Sequence, residues 1–136
     1  MGAALQAKAI VLSEPLKLGL QDLALQAPGS ADVVVDVAYS GVSTGTEKLL
    51  FDGSMPPFPG LSYPLVPGYE SVGRVREAPR GTGLRPGDWV FVPGANCFEG
   101  ARGLFGGAAS RLVVPAERAI PVDSTLKEKG VLLALA

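Results

Sequence analysis

The amino-acid sequence predicts a mainly β domain, a barrel or sandwich with short helices and long glycine- and proline-rich loops. Three observations predict it. The 18 Gly and 12 Pro of the 136 residues are spread along the chain and cut it into short segments, too short for a helical bundle. Residues 32–42, DVVVDVAYSGV, alternate with period two: Val33, Val35, Val37 and Tyr39 face one way, Asp32, Asp36 and Ser40 the other. Hydrophobic residues make up 47% and charged residues 18%, enough to build a core in one domain without disulfides.

The elements follow in order. AKAIVLS (7–13) reads as a first strand and LKLGLQDLAL (16–25) as a second, or as a hairpin arm. Residues 32–42 form the clearest strand. TEKLLFDG (46–53) has a helix-like start and a glycine stop, giving a short helix or turn. SMPPFPGLSYPLVPG (54–68) holds five prolines and reads as a stiffened loop with no regular element. ESVGRVREA (70–78) is a strand with Gly73 as a possible bulge. RGTGLRPGD (80–88) is a turn, and WVFVP (89–93) is apolar on both faces, as a buried strand is. Residues 94–109 form a glycine-rich loop; SRLVVP (110–115) and AIPV (119–122) are short strands. DSTLKEKGVLLALA starts a helix with Asp123 or Ser124 as its cap and TLKE as a capping box. An apolar helical end needs a covering surface, so the expectation is a piece of a longer protein with a further domain after it.

Composition removes several function classes. With no His and one Cys, the chain lacks the usual zinc ligand set and all His-based acid–base chemistry. A net charge of −1, without charge blocks, gives no footprint for nucleic acid or an anionic membrane. No apolar run is long enough to span a bilayer, and MGAALQAKAIVLSEP has no signal-peptide pattern. A cytoplasmic protein is the expectation.

Some motifs reduce to local chemistry. Gly81, Gly83 and Gly87 are spaced GxGxxxG and run toward a strand, where a dinucleotide fingerprint needs GxGxxG and a helix. GLFGGAAS (103–110) lacks the lysine of a phosphate-binding loop. Cys97 has no His to activate it and reads as a free thiol in a loop. SGVSTGTEKLLFDG (40–53) differs, because Ser43, Thr44, Thr46, Glu47 and Lys48 gather hydroxyls and opposite charges just after the clearest strand. In VPGYESVGRV, a phenol and a carboxylate, Tyr69 and Glu70, stand side by side.

Together these stretches resemble the catalytic domain of medium-chain dehydrogenases, a GroES-like barrel of about this length. SGVSTGTEKLLFDG resembles the family's zinc-ligand loop, G-[IV]-C-G-T-D, and VPGYESVGRV resembles its G-H-E-x-x-G-x-V motif. RPGDWVFV resembles its G-D-R-V strand, and GGAASRLVVPAERAIPVDSTL the segment that closes the barrel. In this resemblance Ser43 or Thr44 stands for the ligand Cys, Tyr69 for the ligand His, and Glu70 is kept. The structural-zinc cysteines are absent, which implies a zinc-free branch. The longer words STGTEKLL and GARGLFGG are similar to a branch that oxidises a hydroxyethyl side chain to acetyl on a bacteriochlorophyllide-type tetrapyrrole. That resemblance implies NAD as hydride acceptor, bound mainly by a dinucleotide-binding domain lacking here. A zinc-free quinone reductase and a non-catalytic tetrapyrrole-binding module are the competing readings.

Without zinc, a side chain must take the hydroxyl proton. Tyr69 is one candidate, with Lys48 lowering its pKa if the two approach; Glu70 or Glu47, directly or through water, is another. Ser43, Thr44 and Thr46 can pass the proton or orient the substrate. Phe51, Met55, Phe58, Leu61 and Tyr63, with Phe98 and Phe105, are candidates for a platform under the ring, or for packing beneath the proline-rich loop.

Overall fold

The structure is a computed structural model that describes residues 5–123, so the helix expected beyond Asp123 lies outside the described residues. Two sheets carry the fold. Four strands run in the order β2 (Lys17–Ala24), β1 (Gln6–Glu14), β4 (Leu65–Val66), β7 (Arg102–Gly103). Five run in the order β8 (Arg111–Pro115), β3 (Asp32–Ser40), β5 (Ser71–Glu77), β6 (Trp89–Val92), β9 (Ile120–Pro121). One helix, α1 (Thr44–Asp52), follows β3. No helix among the described residues is long and apolar enough to cross a membrane.

Backbone bonds join the sheets at one seam. The Ile10 amide donates to the Ala108 carbonyl at 2.9 Å, and the Ser110 amide donates to the Lys8 carbonyl at 2.8 Å. Ala9 and Ala109 face each other as an antiparallel bridge. The sheets thereby wrap one core, in which Ala9, Val33, Val35, Val66, Val90 and Leu112 have no exposed surface. Small and β-branched side chains suit this space because they pack closely on pleated backbone. The barrel expected from the sequence is present.

The clearest strand does not alternate cleanly. Val33, Val34 and Val35 are all buried, while Tyr39 is exposed. Pairing between β3 and β5 slips between Val34 and Val35, where Arg76 of β5 is extra, and again between Val37 and Tyr39, where Ala38 is extra. Each slip adds local twist and changes which residues face inward. Gly73 is therefore not the bulged residue. It sits opposite Val37, and a Cβ there would lie 2.2 Å from the Asp36 carbonyl oxygen. Glycine is required by close backbone approach. Asp36 also joins three strands, accepting from Arg111 at 2.8 Å and Arg76 at 3.2 Å. These partly exposed pairs add less stability than register.

Two segments read as loops contain short strands. Leu65 pairs with Leu12 of β1, and Leu65–Val66 runs parallel to Arg102–Gly103. The prolines restrict the chain before Leu65, but the two following residues keep their amides and use them in pairing. Beneath this loop, Leu12, Leu50 and Leu65 form a second buried cluster, with Met55, Leu61, Tyr63 and Leu104 against it. The Tyr63 hydroxyl donates to the Leu50 carbonyl near the end of α1. Gly53 closes the helix in the left-handed conformation at φ 78°, as the sequence predicts.

Gly73→Ala tests the close approach. It should destabilise the chain by about 1–3 kcal/mol or more in urea unfolding, the range for forced overpacking. Gly19→Ala, where a Cβ meets nothing within 4 Å, should change stability by less than about 0.5 kcal/mol.

Candidate active site

The end of β3, the start of α1 and the segment before β5 meet at one point. The Gly41 amide donates to the Glu70 carbonyl at 2.7 Å, tying the residue after β3 to the residue before β5. Gly41 leaves room for an acid: a Cβ there would lie 2.4 Å from Glu70 Oε2. The Ser71 hydroxyl, fully buried, donates to the Gly107 carbonyl at 2.7 Å. The Gly107 and Ala108 amides donate back to the Gly68 and Pro67 carbonyls at 2.8 and 2.9 Å. Residues 67–71 are thus held on both sides, and Tyr69 and Glu70 ride on a fixed backbone.

Ser43 caps α1 in an extended conformation, and its carbonyl accepts from the Glu47 amide at 2.9 Å. Its hydroxyl makes no cap bond and stays available. Thr44, Glu47, Lys48 and Phe51, on α1, line a groove of about 890 Å³ together with Gly41 and Val42. Its far wall is the β1–β2 hairpin, including Ile10, Leu18 and Leu20.

Glu47 is the strained group. Oε2 is buried with no hydrogen-bond partner among the described residues. Burial pushes the carboxyl pKa up; the nearby Ser43 amide opposes this, and the charge of Glu70 adds to it.

The structure separates the sequence candidates. Thr44, Glu47, Lys48 and Phe51 come together on the groove, and Glu70 packs against Gly41 at the same place. Tyr69 turns elsewhere: its ring meets Phe105 edge-on, with centroids 5.3 Å apart and planes at 77°. No hydrogen bond or ion pair links Tyr69 with Lys48 among the described residues, so the Tyr–Lys pairing has no contact to rest on. Thr46 and Phe58 are half-buried and do not line the groove.

Four platform candidates belong to the interior. Phe98 is 5% exposed in the main core and pairs with Leu25 across a bridge. Met55, Leu61 and Tyr63 pack on the second cluster, and burial, then the charge of Asp52, pushes the Tyr63 phenol up. Met55, Leu61 and Tyr63 thus help anchor the proline-rich loop, together with the Tyr63 hydroxyl bond to Leu50 and the pairing of Leu65–Val66. Leu18, Leu20, Val42 and Gly41 went unnoticed in the sequence. The sequence shows Leu16, Leu18 and Leu20 alternating with Lys17, Gly19 and Gln21, which reads as an ordinary strand; only the structure shows the three leucines 58–66% exposed.

The donor set does not fit zinc. No three His, Cys, Asp or Glu side chains converge among the described residues. Cys97 is buried rather than in an open loop, its sulfur accepts from the Val113 amide at 3.5 Å, and burial pushes its thiol pKa up.

A sequence model of the alcohol dehydrogenase GroES-like domain matches residues 29–124. The chain belongs to this family. Over 133 residues it is 57% identical to the 2-desacetyl-2-hydroxyethyl bacteriochlorophyllide A dehydrogenase of Cereibacter sphaeroides, covering 94% of this chain and 42% of that protein. It is 55% identical to the protein of the same name from Rhodobacter capsulatus, covering 97% and 42%. The chain therefore spans about two fifths of these curated relatives' length. Among solved structures it resembles a probable oxidoreductase from Mycobacterium abscessus, with TM-score 0.75 and 29% identity over 98% of this chain and 40% of that one. A thermostable alcohol dehydrogenase from Pyrobaculum aerophilum gives TM-score 0.69 and 28% identity over 91% and 43%. The GroES-like assignment agrees with the resemblance carried by the four motifs.

The Glu47 environment predicts a pH signature. Below the ordinary carboxyl value of 4.5, Glu47 is protonated folded and unfolded, and its burial costs little. As pH rises through the higher folded value, the unfolded state has already lost its proton and stability falls. Glu47→Gln should therefore be more stable than the parent at pH 7, with the gap closing near pH 4. Urea unfolding at the two pH values measures it.

Proposed function

We propose that this chain is the substrate-binding part of a dehydrogenase that oxidises the hydroxyethyl side chain of a bacteriochlorophyllide to acetyl. The observation that carries this reading is the identity of 57% and 55% to two proteins of that name, running through nearly the whole chain. It includes a site assembled from the two loops that distinguish the family, around Gly41–Glu47 and Tyr69–Glu70.

Converting CH–OH to C=O removes one hydride and one proton. The hydride goes to a nicotinamide dinucleotide, NAD in this proposal. The described residues do not fit that cofactor: the glycines at 81, 83 and 87 close a turn before β6, with no helix behind them. Its binding belongs to a dinucleotide-binding domain, which this reading assigns to the remaining length that the relatives possess.

The residues of this chain handle the proton and hold the alcohol. Thr44 and Ser43 present hydroxyls at the start of α1, suited to orienting the substrate hydroxyl. Tyr69, packed edge-on against Phe105, stands where the motif resemblance puts the His ligand of zinc-dependent members. The groove beside Glu47 is apolar along the hairpin and polar along α1, which suits a flat ring with one reactive hydroxyl. The reaction in this reading needs no zinc, since Ser43, Thr44 and Tyr69 are poor replacements for Cys and His. A cytoplasmic location is part of the same proposal.

A titration of this chain with a hydroxyethyl bacteriochlorophyllide, followed by visible absorption, tests the reading. Saturable change at a one-to-one ratio is expected. No saturable change, or tighter binding of simple quinones than of the pigment, contradicts it.

A further inference from the structure

We propose that Glu47 is the group that takes the substrate's hydroxyl proton, with Glu70 beside it as the positioning residue. The inference rests on the dehydrogenase reading above and names the base that it left open.

Glu70 occupies the space a side chain at Gly41 would need, with its Oε2 2.4 Å from the site of the missing Cβ. Gly41 also lines the groove, alongside Glu47. The two acids come from different elements, one from α1 and one from the segment before β5; Glu70 packs on Gly41, Glu47 shares the groove with Gly41, and the charge of Glu70 acts on Glu47. The backbone bond from Gly41 to the Glu70 carbonyl, at 2.7 Å, holds Glu70 against Gly41.

The second observation is the unsatisfied atom. A buried carboxylate oxygen without a donor is costly, and folded proteins seldom keep one without a use. Glu47 Oε2 is such an atom, on a side chain that lines the groove. An alcohol hydroxyl is a donor of the kind it lacks, and Glu47 must turn Oε2 out of its buried position toward the groove to accept it. When the alcohol is oxidised, its O–H bond breaks and the proton passes to Glu47, while the C–H pair leaves as hydride to the nicotinamide acceptor. Charge balances, because a carboxylate becomes a neutral acid beside another carboxylate.

The surrounding charges favour this direction. The charge of Glu70, on the segment before β5, acts on Glu47, and the Ser43 amide at the start of α1 opposes it. Thr44 and Lys48 of α1, Lys8 of β1, Ser40 of β3 and Ser110 before β8 line the same groove. Lys8 is tied to Asp22 at 2.9 Å, and the charge of Lys48 acts on Asp52. Burial and the Glu70 charge bring the carboxyl closer to the solution pH, where a general base is most effective.

Two measurements decide it. In this chain with carbon-13-labelled glutamate, NMR should show Glu47 titrating above the ordinary carboxyl range, with a lower midpoint in Glu70→Gln. Ordinary titration of Glu47, unchanged by Glu70→Gln, overturns the proposal. For catalysis, the chain replaces the matching part of the Cereibacter sphaeroides dehydrogenase. Glu47→Gln should lower kcat by about a hundredfold or more, and Glu47→Asp should recover part of the loss. Glu70→Gln should move the acid limb of the pH–rate profile to lower pH. An unchanged kcat in Glu47→Gln, with the loss appearing in Tyr69→Phe instead, overturns the proposal in favour of a tyrosine base. Failure of the parent chimera to oxidise the pigment counts against the dehydrogenase reading, and the NMR titration still decides the carboxyl pair.

Discussion

The close pairing of β3 with β5 sets the rest of the site. At Gly73 the two backbones approach so nearly that no side chain fits, and the next residue of β3, Ala38, bulges out of register. The strands stay together to Ser40 and Ser71. They then part as Gly41 and Glu70, still joined by a hydrogen bond. Everything proposed to act on a substrate departs from that fork: one branch turns into α1 with Ser43, Thr44 and Glu47, the other carries Tyr69 and Glu70. A pair of adjacent antiparallel strands delivers two loops to the same place without long connections.

The remaining architecture stiffens the fork. Ser71 and Gly107 lock the second branch to the segment before β8, while the cluster of Leu12, Leu50 and Leu65 holds α1 down. The proline-rich loop passes over that cluster, and its aromatic and thioether side chains are spent on packing. Apolar burial near a site is a poor guide to substrate contact, because the same side chains are the cheapest anchors for a long loop.

Much of the fold was legible in the sequence, for physical reasons. Period-two patterning marked β3, residues 7–13 and 70–78 read as the strands β1 and β5, and the Gly53 stop marked the end of α1. The short pairings were not legible. Leu65–Val66 and Arg102–Gly103 are two residues each, and distant partners define them rather than any local pattern. The inward turn of Val34 comes from register slips, which alternation alone cannot show. In the candidate site, the loops carried recognisable words, so Glu47, Thr44 and Glu70 were named from the sequence; the structure places the first two on the groove and Glu70 against Gly41. Phe98 was misplaced because an aromatic in a glycine-rich loop looks exposed until its bridge to Leu25 is known. The role of Gly41 was invisible, since it depends on a carboxylate 29 positions away (Glu70).

The account's central claim is that this GroES-like domain brings a proton acceptor of its own where zinc-dependent members use a metal. Metal dependence tests it most directly. The chimera with the Cereibacter sphaeroides protein would be treated with a strong chelator, its zinc content measured, and pigment oxidation followed before and after zinc is returned. Undiminished turnover at negligible zinc is the predicted result. Turnover that disappears with the metal and returns in proportion to added zinc would contradict the account.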